Sequence, residues 1–171
     1  MLNTRFHRSV KPLSASTITH LRTRLRCCPS LPASAGTVGQ AQGLLLVSLM
    51  YGVGATAAEV AAMPIQSLLT NDGLPADEVK FAASMTKHGV ARREAMHPDV
   101  LRDLLGFRDA YPDQQWVAFA TNRDGVALDK QLTPNAITAW FRQCLREAGL
   151  VGFSVRSGRK SFRDAQRGQF A

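Results

Sequence analysis

Acidic residues are missing from the first third of this chain: no Asp or Glu precedes Glu59. Cysteine is scarce too, with Cys27 and Cys28 adjacent and Cys144 far away. Neighbouring cysteines do not form the C-x-x-C ligand pair of a zinc site, and an odd count does not suggest a disulfide framework. No metal and no cofactor are therefore expected, and Cys144 is read as a buried thiol. Long apolar runs are also absent. The stretch Leu44 to Tyr51 is too short for a bilayer and is closed by Gly52 and Gly54, so it reads as a core helix with no membrane role.

What is present is positive charge. Twenty-one Lys and Arg face thirteen Asp and Glu over 171 residues, a formal net charge of +8. Such a field attracts polyanions and speeds their encounter. A hydrophobic content of 45% argues against wholesale disorder, and the length suits one domain with its own core. Within the acid-free stretch, Arg5, Arg8, Lys11, Arg22, Arg24 and Arg26 lie among serines and threonines, a composition shared by organellar transit peptides and by basic arms that follow a phosphate backbone. The arm is the favoured reading, covering residues 1–12.

The remaining pattern is mostly helical. Ser14 or Ser16 can cap a helix through Arg26, with Ile18, Leu21 and Leu25 on one face. A loop marked by Pro29, Pro32 and Gly36 precedes a helix from Val38 to Tyr51. Thr56-Ala57-Ala58-Glu59 matches a capping box opening a helix that Pro64 stops. Short strands are predicted at Ile65–Leu69, at Glu78–Ser84 and up to Met96, with turns at Asn71-Asp72-Gly73 and Lys87-His88-Gly89. Pro98 opens a helix through Ala110. Thr133-Pro134 opens another through Ala148, with Ile137, Trp140, Phe141, Cys144 and Leu145 as its buried stripe. The expected class is mainly α with one small antiparallel three-stranded sheet.

Several local stretches fall into a familiar order. Gly54-Ala55-Thr56-Ala57-Ala58-Glu59-Val60 resembles a Gly-Leu-Arg-x-x-Glu-Leu box, and Lys87 with Arg92 resembles a sheet turn that carries a lysine. Trp116 to Leu128, Leu132-Thr133-Pro134 and Ala148-Gly149-Leu150 follow. Arg156-Ser157-Gly158-Arg159 then resembles a His-x-x-Arg box at a helix start. Together, from Leu13 to Arg167, these stretches resemble the catalytic domain of the tyrosine recombinases, the phage integrase family. The resemblance implies residues 13–171 as one such domain, C-terminally incomplete because the third box and the nucleophilic tyrosine do not follow. It also implies double-stranded DNA as partner, a homo-oligomer or a full-length recombinase as a further partner, and a cytoplasmic protein of bacterial, phage or plasmid origin.

The same resemblance assigns roles. Arg159 and Lys87 hold family catalytic positions, whereas Thr56 replaces the first arginine and Arg156 replaces the histidine. Lys87, Arg92, Arg93, Arg156, Arg159 and Lys160 are the expected DNA contacts. In the family reaction a tyrosine oxygen attacks a phosphodiester, guanidinium forks hold the charged oxygens, and a lysine protonates the leaving sugar oxygen. Losing one such preorganised donor costs roughly 2.7–4 kcal/mol. Tyr51 reads as core and Tyr111 as a turn residue, so neither is expected to act as nucleophile. His7 and His20 fall in the basic stretch, His88 on the turn and His97 before the helix proline. Three functions stay open: a DNA-binding protein of recombination and integration unable to cleave alone, half of a site-specific recombinase needing a tyrosine in trans, and a non-enzymatic interaction protein.

Overall fold

A computed structural model describes residues 11–27, 38–122 and 126–168. Residues 1–10 of the expected basic arm and the Pro29–Gly36 loop lie outside them. The described chain forms six helices: α1 (Ala15–Cys27), α2 (Gln40–Gly52), α3 (Ala57–Ala61), α4 (Pro98–Ala110), α5 (Pro134–Glu147) and α6 (Arg156–Gly168). Four strands complete it: β1 (Glu78–Phe81), β2 (Arg92–Ala95), β3 (Phe119–Thr121) and β4 (Ala127–Gln131).

α2 is apolar on every side, the pattern of a helix surrounded by others, and it packs against α1, α3, α4 and α6. Leu45, Leu46, Leu49 and Met50 are fully buried there. Two buried polar groups fasten this centre. Arg22 of α1 pairs with Asp103 of α4 at 2.6 Å, and Ser48 of α2 bonds both side chains. Arg22, grouped above with the basic N-terminal stretch, is thus a core residue. Its charge is buried because a carboxylate and a hydroxyl satisfy it. Gln42 Nε2 donates to the Val117 and Phe119 carbonyls at 3.2 and 3.0 Å and holds β3 against α2.

The start signals read from the sequence operate as expected. Thr133 Oγ1 accepts from Ala136 N–H at the head of α5, and Ile137, Trp140, Phe141, Cys144 and Leu145 are buried below it. Burial pushes the Cys144 thiol up to about 12, which leaves it inert. α4 begins at Pro98, with an acceptor the sequence reading overlooked: His97 Nδ1 receives Asp99 N–H at 3.1 Å. His20, grouped with the basic stretch, instead bonds the Ala148 carbonyl through Nε2 at 3.0 Å.

The sheet differs from expectation. The described residues hold two two-stranded antiparallel sheets, β1–β2 and β3–β4, in place of one with three strands. Ile65–Leu68 forms a 3₁₀ turn, with Ser67 N–H donating to the Pro64 carbonyl at 3.0 Å. Leu69 N–H likewise donates to the Gln66 carbonyl at 3.3 Å, and these bonds to the third residue back mark a 3₁₀ turn rather than a strand. A second 3₁₀ turn, Ala83–Met85, shortens the strand expected to reach Ser84. The β3–β4 hairpin was not anticipated, although Asn-Arg-Asp-Gly at 122–125 is a hairpin signal.

Candidate nucleic-acid interface

The site begins with the way α6 is seated. Ser157 is fully buried, and its Oγ accepts Ser154 N–H at 3.0 Å while its own N–H reaches the Ser154 carbonyl. Gly158 follows against α2, so close that a Cβ would lie 2.7 Å from the Met50 carbonyl oxygen. One turn on, Ser161 Oγ accepts Leu13 N–H at 2.7 Å and donates to the Leu13 carbonyl at 2.8 Å. Phe162 closes over Gly54, whose φ of +65° and lack of Cβ admit the ring. With small residues inward, Arg156 and Arg159 are turned outward at the helix N-terminus. There the unpaired backbone N–H groups already carry partial positive charge.

Facing them is the loop before α3. Thr56 caps that helix reciprocally with Glu59: Thr56 Oγ1 accepts Glu59 N–H at 3.2 Å, and Glu59 Oε2 accepts Thr56 N–H at 2.7 Å. Glu59 is buried and stands between two guanidinium groups. Its Oε2 lies 3.3 Å from Arg92 Nη2 and 3.5 Å from Arg159 Nη1. Burial alone would raise its pKa, but the Thr56 backbone hydrogen bond and the Arg92 charge outweigh that, and the carboxyl is held below its ordinary value. Arg159 shows the converse balance. Burial and the nearby charges of Arg163 and Arg92 lower its pKa, while Glu59 opposes them.

Lys87 arrives from the turn between β1 and β2. Thr86 Oγ1 donates within that turn and accepts Val90 N–H at 3.0 Å, and Gly89 takes a φ of +65°. Thr56, Lys87, Arg156 and Arg159 together line two adjoining clefts of about 750 and 510 Å³. The larger reaches Ser154 and, on α5, Thr138 and Arg142. The smaller follows α6 past Lys160, Arg163, Asp164 and Arg167. The sequence reading passed over Arg142, Arg163 and Arg167. The last two carry a signal in the three- and four-residue spacing of arginines from 156 to 167.

Of the six expected DNA contacts, Lys87, Arg156, Arg159 and Lys160 share the smaller cleft. Arg92 and Arg93 do not; they border a separate cleft with Lys80 and Phe81. Arg92 stacks 3.7 Å above the Phe81 ring and pairs with Glu94 at 2.6 Å as well as with Glu59. Arg93 meets Glu78 at 3.5 Å on the exposed side of the sheet. Neither tyrosine lines the two arginine clefts. The Tyr51 ring sits edge-on to His97, with ring centres 5.5 Å apart, and Tyr111 packs on Phe107 and Phe119. Burial raises the Tyr111 pKa, which opposes its use as a nucleophile.

The fold is similar to that of a solved recombinase. The crystal structure of XerA recombinase superposes with a TM-score of 0.66 at 13% identity, over 94% of this chain and 52% of that one. This chain thus spans about half the length of XerA recombinase. No family model matches the sequence, and no curated protein matches it. At that identity the likeness speaks to fold: a mainly helical unit with small antiparallel sheets. No helix among the described residues is long and apolar enough to cross a membrane.

Proposed function

We propose that this chain binds double-stranded DNA through its arginine-lined clefts, in the process of DNA recombination or integration, and that it does not cleave DNA by itself. The observation that carries the proposal is the convergence of Thr56, Lys87, Arg156 and Arg159, from three separated stretches, on one cleft mouth. A phosphate there meets a guanidinium fork at Arg159, a second at Arg156, a mobile ammonium at Lys87 and the positive end of α6. Fold likeness to a recombinase and the ordered sequence boxes add independent support.

Cleavage is a different matter. Thr56 is neutral, and its oxygen already accepts the α3 cap bond, so it offers one hydroxyl proton where a fixed charge would be needed. A guanidinium in place of the family's histidine does not trade protons near neutral pH as an imidazole does. Both tyrosines pack elsewhere. The retained Lys87 and Arg159 favour one second reading, in which another subunit supplies the tyrosine.

Two measurements separate these functions. Fluorescence anisotropy with unrelated duplexes should show binding that weakens with salt, and absence of binding would leave only an interaction role for the fold. Incubation with nicked suicide duplexes, followed by denaturing gels, should show no covalent adduct for this chain alone. An adduct would refute the lack of cleavage. An adduct that appears only with a full-length recombinase, and depends on Arg159, would establish the second reading.

A further inference from the structure

The outer face of α6 carries more positive charge than one phosphate can use. Arg156, Arg159, Arg163 and Arg167 recur at intervals of three, four and four residues. At 3.6 residues per turn they fall within roughly 80° of one another. Buried Ser157, Gly158 against α2 and Phe162 against Gly54 lie on the opposite side of the helix. Asp164 is the helix's single acid, and Lys160 holds it at 3.2 Å. Arg163 and Arg167 are exposed and have no carboxylate partner among the described residues.

This arrangement works against the helix. Like charges four residues apart repel, as at Arg159–Arg163 and Arg163–Arg167, and cations in the first turn oppose the helix dipole. The repulsion reaches the cleft, since the Arg163 charge contributes to the lowered pKa of Arg159. A polyanion laid along the stripe relieves both effects at once. A single phosphate at Arg159 relieves only the near end.

We infer that α6 is a track for one strand of the duplex, with Arg163 and Arg167 taking the phosphates that follow the one held by Arg156 and Arg159. The inference rests on the DNA-binding proposal above and adds the direction in which the strand leaves the cleft. The stripe is long enough to reach past one phosphate, since Arg156 to Arg167 spans about 16 Å of helix rise. The smaller cleft joins the two ends of the stripe into one continuous surface.

The test uses the full chain, with Arg163 and Arg167 both changed to Gln, beside Arg159→Ala and a charge-keeping Arg163→Lys/Arg167→Lys double variant. Affinity for a labelled duplex is followed by anisotropy over a salt series. Each lost phosphate contact lowers the log–log slope by about 0.9, so the double Gln variant should lose about 1.8 and the double Lys variant almost nothing. Without DNA, the double Gln variant should melt no lower than the parent, because repulsion has been removed. A lower melting temperature would mean that these arginines support the fold, and the track would be withdrawn. A parental slope in the double Gln variant, alongside a reduced slope for Arg159→Ala, would overturn the track and leave the cleft standing. No salt-dependent binding by the parent would overturn both.

Discussion

Replacing Glu59 with Gln probes the residue on which the candidate site is assembled. Its carboxylate accepts Thr56 N–H at 2.7 Å and faces Arg92 at 3.3 Å and Arg159 at 3.5 Å, and the side chain is 4% exposed. Gln keeps one oxygen for the Thr56 bond but removes the charge shared by the two arginines. Breaking one partner of a buried ion pair costs about 3–5 kcal/mol. Arg92 and Arg159 are 22% and 33% exposed, so water recovers part of that loss. A cost of about 2–3 kcal/mol is expected. With a urea slope of about 1–3 kcal/mol per molar, the unfolding midpoint should fall by roughly 1 M. The effect should also depend on pH. The folded carboxyl is held below its ordinary value of 4.5, so its contribution is complete above that value and is lost as pH falls through the lower folded pKa. Urea melts followed by circular dichroism, at neutral pH and in steps through the acid range, should show parent and variant converging as pH falls. An unchanged midpoint at neutral pH, or a constant gap through the acid range, would refute Glu59 as the charged link between Arg92 and Arg159.

Two further substitutions test how the site is held. Trp140→Ala should destabilise the fold by roughly 3–5 kcal/mol, since the ring is buried on the inner face of α5; a stable variant with selectively weaker DNA binding would show that the ring contacts DNA. Gly158→Ala should cost about 1–3 kcal/mol and lower the melting temperature. The added methyl meets the Met50 carbonyl, which is backbone and cannot swing aside, and a parental melting temperature would mean that α6 is not seated against α2 as described.

Much of the scaffold could be read from local signals, because those signals act locally. Thr133-Pro134 and Thr56 to Glu59 are caps whose partners lie within three residues, and each helix begins where its cap predicts. The apolar stripe of α5 is likewise set by spacing alone. What escaped depends on partners distant in the chain. Arg22 looks like one more cation of a basic stretch until Asp103 and Ser48 meet it in the core. Arg92 reads as a free DNA contact until Glu59, Glu94 and the Phe81 ring are found around it. Ile65–Leu68 has strand-like composition, but Ser67 and Leu69 N–H turn back to the carbonyls three residues earlier. At the site, family order pointed to Thr56, Lys87, Arg156 and Arg159, and the cleft gathers all four. Arg142 had no local pattern to mark it and is found only by its place on the cleft wall.

The central claim is that Arg159 holds a DNA phosphate, and its most direct test is the salt dependence of binding by Arg159→Ala. Anisotropy with two unrelated duplexes should show a slope reduced by about one unit, with affinity lowered alike for both sequences. Arg159→Lys should recover only part of the affinity, because it keeps the charge and loses the fork. An unchanged slope for Arg159→Ala, with the fold intact by circular dichroism, would contradict the claim that this residue touches DNA.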